Sequence, residues 1–251
     1  PADADNWTQV WSPLEYDPDP IVSRFGYAGG AVEYFDGWLY WGTIHLQNSK
    51  ALGIHETCTQ PYCFGTPANE EEEQALNAGV YRTTSLWRGR NLEDPGAREV
   101  QLLYGESELP ACCSAPKTFS MTPTGWTPLY GASGFGNPGN EYTWQMAVFN
   151  GRLYVGTFDA SVLQGVAGIP AQYGADLWRF DSSDSPAVNE NYIGLGDRFN
   201  YGIRILHPLD DGSGVIAGMA NPFNLRTGGG WELRKLKEGP PPAARKPKAR
   251  R

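Results

Sequence analysis

The chain is poor in the residues that carry most enzyme chemistry. Only three of its 251 residues are His (His45, His55, His207), so an acid–base mechanism would have to rest on carboxylates. It contains no Gly-x-Ser-x-Gly elbow, no Gly-Lys-Ser/Thr phosphate loop and no His-Glu-x-x-His zinc helix. The commonest hydrolase, nucleotidase and metalloprotease signatures are therefore missing. No Asp-x-Asp-x-Asp-Gly loop and no Cys-x2-Cys pair occurs, so neither an EF-hand nor a zinc ribbon is written into the chain. No apolar run approaches the roughly 18 residues that a membrane-spanning helix needs. Charged residues make up 19% of the chain and the formal net charge is −8. An acidic body argues against nucleic acid as a partner. The proline-rich stretch 239–251 holds Arg245, Lys246, Lys248, Arg250 and Arg251 and no acid. It reads as a solvated, disordered tail, which makes the preceding body still more acidic.

Turns and flat aromatic surfaces are abundant instead. Thirty-one Gly and 20 Pro without a Gly-X-Y period mark many turns, and 13 Tyr with 9 Trp suit half-buried strands. A strand–turn–strand–loop–strand plan recurs. In one copy Ala31–Phe35, Asp36-Gly37 and Leu39–Thr43 lead later to Ser85–Arg88. In the next, Gly134–Pro138 precedes Trp144–Phe149, Asn150-Gly151, Leu153–Thr157 and Ala175–Phe180. The third reads Gly194–Asp197, Ile203–Leu206, Asp211-Gly212, Val215–Gly218 and Gly230–Leu233. Asp-Gly and Asn-Gly between apolar runs are hairpin signals. The expected fold is an all-β propeller, or part of one, spanning 1–238 with blade-like units over about 24–95, 126–190 and 191–238.

In such blades the tight turns fall on one face. The insertions His45–Ala78, Asp159–Gly174 and Asn221–Gly229 fall on the other. Trp87, Trp178 and Trp231 are expected at one repeat position as filler between blades. Residues Trp7–Pro13 read as the outer strand of an incomplete blade. Two arrangements stay open: an arc lacking upstream blades, which is favoured, or a ring closed by Trp7–Ser12 beside Trp231–Leu236. The second needs a degenerate extra blade in 96–126, with 98–104 as one strand.

Gly134–Pro138, Asn150–Thr157, Asn200–Arg204 and Ala220–Phe223 together resemble uncharacterised bacterial secreted propeller-repeat proteins. The resemblance covers most of 24–236. It implies a propeller fold and export and carries no catalytic residue across.

The four cysteines, Cys58/Cys63 and Cys112/Cys113, all lie in irregular segments. Disulfides are favoured over free thiols and over zinc, for which His55 is the one nearby imidazole. With the sequon Asn6-Trp7-Thr8 they point to a secreted or extracytoplasmic location. The chain begins at Pro1 with no export signal visible, and is expected to be a processed product or a piece of a longer one.

His45, Asp159 and Asn221 open the three insertions. They are candidates to converge on a polar ligand, set against the plainer expectation that each caps its own loop. Tyr142, Trp144, Tyr201 and Arg204, with Tyr27, form a candidate aromatic and cationic lining of the kind that grips sugars; ordinary packing of strand starts competes with it. Glu70–Glu73 suits a solvated helix start better than a structural calcium site. No other cofactor is expected. The function favoured is a non-catalytic recognition module for a carbohydrate or protein partner on the insertion-rich rim. The alternatives are polysaccharide cleavage by rim carboxylates (Glu141, Asp159, Asp176, Asp197) and a structural subunit whose propeller another chain completes.

Overall fold

A computed structural model describes residues 7–45, 50–162, 174–221 and 230–236. The sequon at Asn6, residues 46–49, most of the second and third insertions (163–173 and 222–229, with Pro222 and Phe223) and the basic tail lie outside the described residues. The protein is all-β, with one large antiparallel sheet system. The first unit is a meander of β1 (Tyr27–Phe35), β2 (Trp38–His45), β3 (Leu86–Arg90) and β4 (Glu99–Tyr104). A separate hairpin follows, β5 (Glu108–Ala115) with β6 (Thr118–Pro123). The second unit repeats the meander with β7 (Asn140–Phe149), β8 (Arg152–Asp159), β9 (Leu177–Phe180) and β10 (Val188–Asn191). The third has β11 (Gly202–Pro208), β12 (Val215–Ala220) and β13 (Leu233–Leu236).

The hairpins form where expected and for the expected reason. Asp36 and Gly37 have φ of 49° and 85°, and Asn150 and Gly151 of 48° and 68°. Two successive left-handed residues make the turn whose twist matches a right-handed strand pair. The opposite ends of the units are joined by single ladder steps, Ile44↔Tyr142 and Phe158↔Gly202.

The units stack face to face, and the core lies in the seams. Phe35, Trp38, Tyr40 and Leu86 of the first unit meet Met146, Leu153, Val155 and Phe180 of the second. Phe149, Tyr154 and Leu177 of the second meet Ile203, Leu206, Val215 and Met219 of the third. Burying each such side chain stabilises by about 1.5–3 kcal/mol, so the seams rather than the ladders hold the units together. The Gly-Thr that ends the second strand is explained by this approach. A Cβ at Gly42 would stand 2.2 Å from Thr143 Cβ, and one at Gly156 2.7 Å from Ile203 Cβ.

Three sequence expectations are corrected. Residues 98–104 do not begin an extra blade: β4 is the fourth strand of the first unit. Trp7–Ser12 does not lie beside Trp231–Leu236. Its Trp11 packs on Trp41 and Trp87 of the first unit, whereas β13 pairs with β12. Trp231 is also out of register with the other two tryptophans. Trp41↔Trp87, Val155↔Trp178 and Ala217↔Arg234 are the matching pairs; Trp87 is fully buried while Trp231 is 63% exposed.

The first insertion is helical rather than irregular. After α1 (Val22–Phe25), α2 (Lys50–Thr57) and α3 (Glu70–Val80) pack with β5 and β6 over a core of Ile21, Val22, Phe64, Leu76 and Val80. Asn69 caps α3 by accepting from Glu72 N–H at 3.0 Å. The Glu70–Glu73 run thereby meets the positive end of the helix, and Glu72 pairs with Lys117. Cys58 is bonded to Cys63 and Cys112 to Cys113. His55 Nε2 lies 3.1 Å from Asp19 Oδ1 in full burial. Arg82 donates to Asp17 at 2.6 Å and to Pro110 O at 2.7 Å. That buried ion pair ties the N-terminal segment to the insertion and to the hairpin. No helix among the described residues is long and apolar enough to cross a membrane.

Candidate functional site

The residues of most chemical interest meet where the insertion ends of the second and third units join. Two glycine turns build this place. Gly134, Phe135 and Gly136 have φ of 62°, 58° and 83°, and Gly194, Leu195 and Gly196 of 62°, 56° and 99°. Each turn wraps the residue two places before the third strand of the unit before it. Gly134 N–H donates to Thr84 O and Thr84 N–H to Asn140 O; Gly194 N–H donates to Ala175 O and Ala175 N–H to Asn200 O. The spacing Gly134, Gly136, Gly139 thus leads into a strand, and no helix N-terminus is offered to a pyrophosphate.

An asparagine closes each turn. Asn140 Nδ2 donates to Gly134 O at 2.9 Å and to Asp176 Oδ2 at 2.7 Å. Asn200 Nδ2 likewise donates to Gly194 O and to Glu232. Both asparagines are fully buried. The first unit has Ser85 where the others have Asp176 and Glu232, opposite the second-strand residues Thr43, Thr157 and Met219, and it is entered through α1 instead.

Three acids crowd the second unit's junction. Glu141, Asp159 and Asp176 are 3%, 1% and 3% exposed. Burial, then the Asp159 charge, pushes Glu141 up to about 8. Burial also raises Asp176, to about 6, against the hydrogen bond from Asn140. Asp159 accepts from Asn137 Nδ2 at 3.1 Å and from Ser161 N–H at 2.8 Å. It caps its own loop. The described residues hold no group of three or more His, Cys, Asp or Glu placed to bind a metal ion.

His45, Asp159 and Asn221 each have neighbours of their own. His45 is sealed between Tyr27 and Tyr81, at ring centroid distances of 5.7 and 6.2 Å. Burial lowers it to about 3, with Arg82 adding to the effect, so it is neutral near pH 7. Asn221 Nδ2 donates to Asn200 Oδ1 at 3.2 Å. Each serves the end of its own strand.

The aromatic set, in contrast, is brought together. Tyr142 stacks on Phe158 at 4.2 Å and meets Trp144 edge-on at 5.8 Å. Tyr201 lies 5.3 Å from Phe158 and 6.5 Å from Trp144. Arg204 places its guanidinium 5.5 Å from the Trp144 ring, within cation–π reach. Tyr142, Trp144 and Tyr201 are half-buried and Arg204 is exposed. Gly202 makes room: a Cβ there would stand 2.1 Å from Trp144 Cζ3. Phe158, the platform of the set, was not singled out by sequence. It is the ladder partner of Tyr142, but only because the register shifts between Thr143 and Gln145; a hairpin counted back from Asn150-Gly151 would set Asp159 there, so the turn alone does not reveal it. Tyr27 meets His45, at 5.7 Å between ring centroids. Comparison of the chain with protein-family models, with curated proteins and with solved structures gives no match.

Proposed function

We propose that the chain is a secreted recognition module of propeller type that binds carbohydrate across Tyr142, Trp144, Tyr201 and Arg204. The reading rests on one observation: three half-buried rings and an exposed guanidinium lie side by side, Tyr142 and Trp144 on β7, Tyr201 just before β11 and Arg204 on it. An exposed cation over an indole can swing aside and leave an apolar ring face for the C–H face of a sugar, while its N–H groups remain to donate to hydroxyls. The repeated seams and the bonded cysteines agree with a propeller in an oxidising compartment. A glycan array probed with the chain and with Trp144→Ala is the test. The expected result is retention of a glycan class that the variant loses by at least tenfold; retention of none overturns sugar binding and leaves a protein ligand.

A second reading, polysaccharide cleavage, has a specific observation in its favour. Glu141 is raised to about 8 beside Asp159, as a general acid near neutrality would be. Both carboxylates are nearly inaccessible, which is why binding is preferred. Polysaccharide cleavage by the chain that is lost in Glu141→Gln would reverse the preference.

A further inference from the structure

The strand register assigns equivalent positions to the three units, and these positions differ sharply at the two ends of the stack. Leu86, Leu177 and Leu233 pair with Gly42, Gly156 and Gly218. The first two are each 1% exposed, whereas Leu233 is 57% exposed. On the opposite faces Val32, Met146 and Leu206 pair with Trp41, Val155 and Ala217. Met146 and Leu206 are 3% and 5% exposed, whereas Val32 is 60% exposed. The occupied members are partners. Leu86 and Met146 share one seam and Leu177 and Leu206 share the next. Leu233 and Val32 are therefore the two halves of a third such contact, each without its other half among the described residues.

Further detail follows the same equivalence. Thr143, Ile203 and Gly29 pair with Thr43's counterparts and Thr43 itself: Thr157, Met219 and Thr43 in turn. Thr143 and Ile203 press into Gly42 and Gly156 of the preceding unit, whereas a Cβ at Gly29 would meet nothing within 4 Å. The outer part of the first unit's free face is covered by Trp11, Tyr16 and Trp126. Its inner part remains a groove of about 440 Å³ lined by Trp11, Val32, Leu39, Trp41 and Gly42 among others. The open face of the third unit presents Ile205, 43% exposed, beside Leu233.

We infer that a second copy of this chain occupies these faces. The third unit of one copy docks on the first unit of the other, and the reciprocal contact closes a pair containing six units. The complement that each open face lacks is carried by the chain itself, at the far end of the stack. The contact continues a seam that the fold has already made twice. A head-to-tail contact repeated in both directions satisfies both faces and leaves neither free for further growth. The inference depends on how the units stack and not on the ligand proposed above.

Light scattering coupled to size exclusion tests it at tens of micromolar chain. The expected mass is about twice 27.6 kDa, and Val32→Glu and Leu233→Glu, both at exposed positions, should each give a monomer with an unchanged circular dichroism spectrum. The double variant Val32→Lys with Leu233→Glu should recover the pair, because each contact then holds one charge of each sign. In a chain carrying Val32→Cys and Leu233→Cys, oxidation should yield a covalent dimer. A parent chain that is monomeric, a dimer that survives Val32→Glu, or a disulfide that joins the two introduced cysteines within one chain would each overturn the inference.

Discussion

Glu141 shows how a single side chain can report on the junction. Its ordinary carboxyl value of 4.5 is raised to about 8 in the folded chain, by burial and then by Asp159. Between those pH values the unfolded chain has released a proton that the folded chain still holds. Stability is therefore complete below about pH 4.5 and declines as the pH rises through about 8. Asp176, raised from 3.8 to about 6, adds a slope of the same sign over its own window. Glu141→Gln keeps a neutral side chain of the same shape. It should flatten the decline, leaving the variant more stable than the parent at pH 8 by about 1–3 kcal/mol and no more stable at pH 4. Urea unfolding at the two pH values measures this, and equal slopes would assign the linkage to other groups. At this scale the sequence was legible wherever the repeat placed residues in register. Tyr142, Trp144, Tyr201 and Arg204 meet as read. Asn140 and Asn200 were missed, although each stands six residues after the first glycine of its turn. Their importance comes from an amide reaching two separate elements, and chain order alone does not display that.

Strands and turns carried most of the recoverable information. The left-handed pairs at Asp36-Gly37 and Asn150-Gly151 fix two hairpins and the register next to each turn, up to the bulges at Gly29/Val32 and Thr143/Gln145. The slip at Trp231 has a physical cause. The pairing of Gly218 with Leu233 sets the third unit's register, and a tryptophan two residues before that leucine falls outside the ladder. The helices of the first insertion were less legible, because α3 buries only Leu76, Gly79 and Val80 on one narrow side and otherwise looks like a solvated acidic run. The glycines of the second strands offer the sharpest test at this level. Gly42→Ala must push Thr143 Cβ, an atom fixed close to the main chain, and Gly156→Ala must push Ile203. Each should cost about 1–3 kcal/mol by overpacking. Gly29→Ala, which meets open space, should change stability little in a monomeric Val32→Glu background. Thermal unfolding of the three variants separates them, and a large loss at Gly29 would contradict the assignment of the free face.

Besides the aromatic cluster over the first unit's outer strands, the described residues of the molecule form two kinds of core. One is the pair of seams between units; the other is the helical layer with β5 and β6, where both disulfides lie. Reduction by a thiol should therefore loosen the second and spare the first. Hydrogen exchange after reduction is expected to speed up in α2, α3 and β5 while β7, β8 and β12 keep their protection. Uniform loss across the sheet would show that the two cores unfold as one. The all-β class was readable at this scale because hairpin chemistry repeats along the chain; the first unit's fourth strand, β4, lies beyond the expected limit at residue 95, because its place depends on contacts between distant segments. The asparagine clasps have a consequence for tolerance of insertions as well. A clasp takes its glycine turn and amide from the start of one unit, its cradle from the unit before, and its acid from further along its own. Each clasp thus knots three stretches of chain at one buried amide, so a length change within a turn or beside its acid would undo the knot, while one in the loop between them would leave it tied.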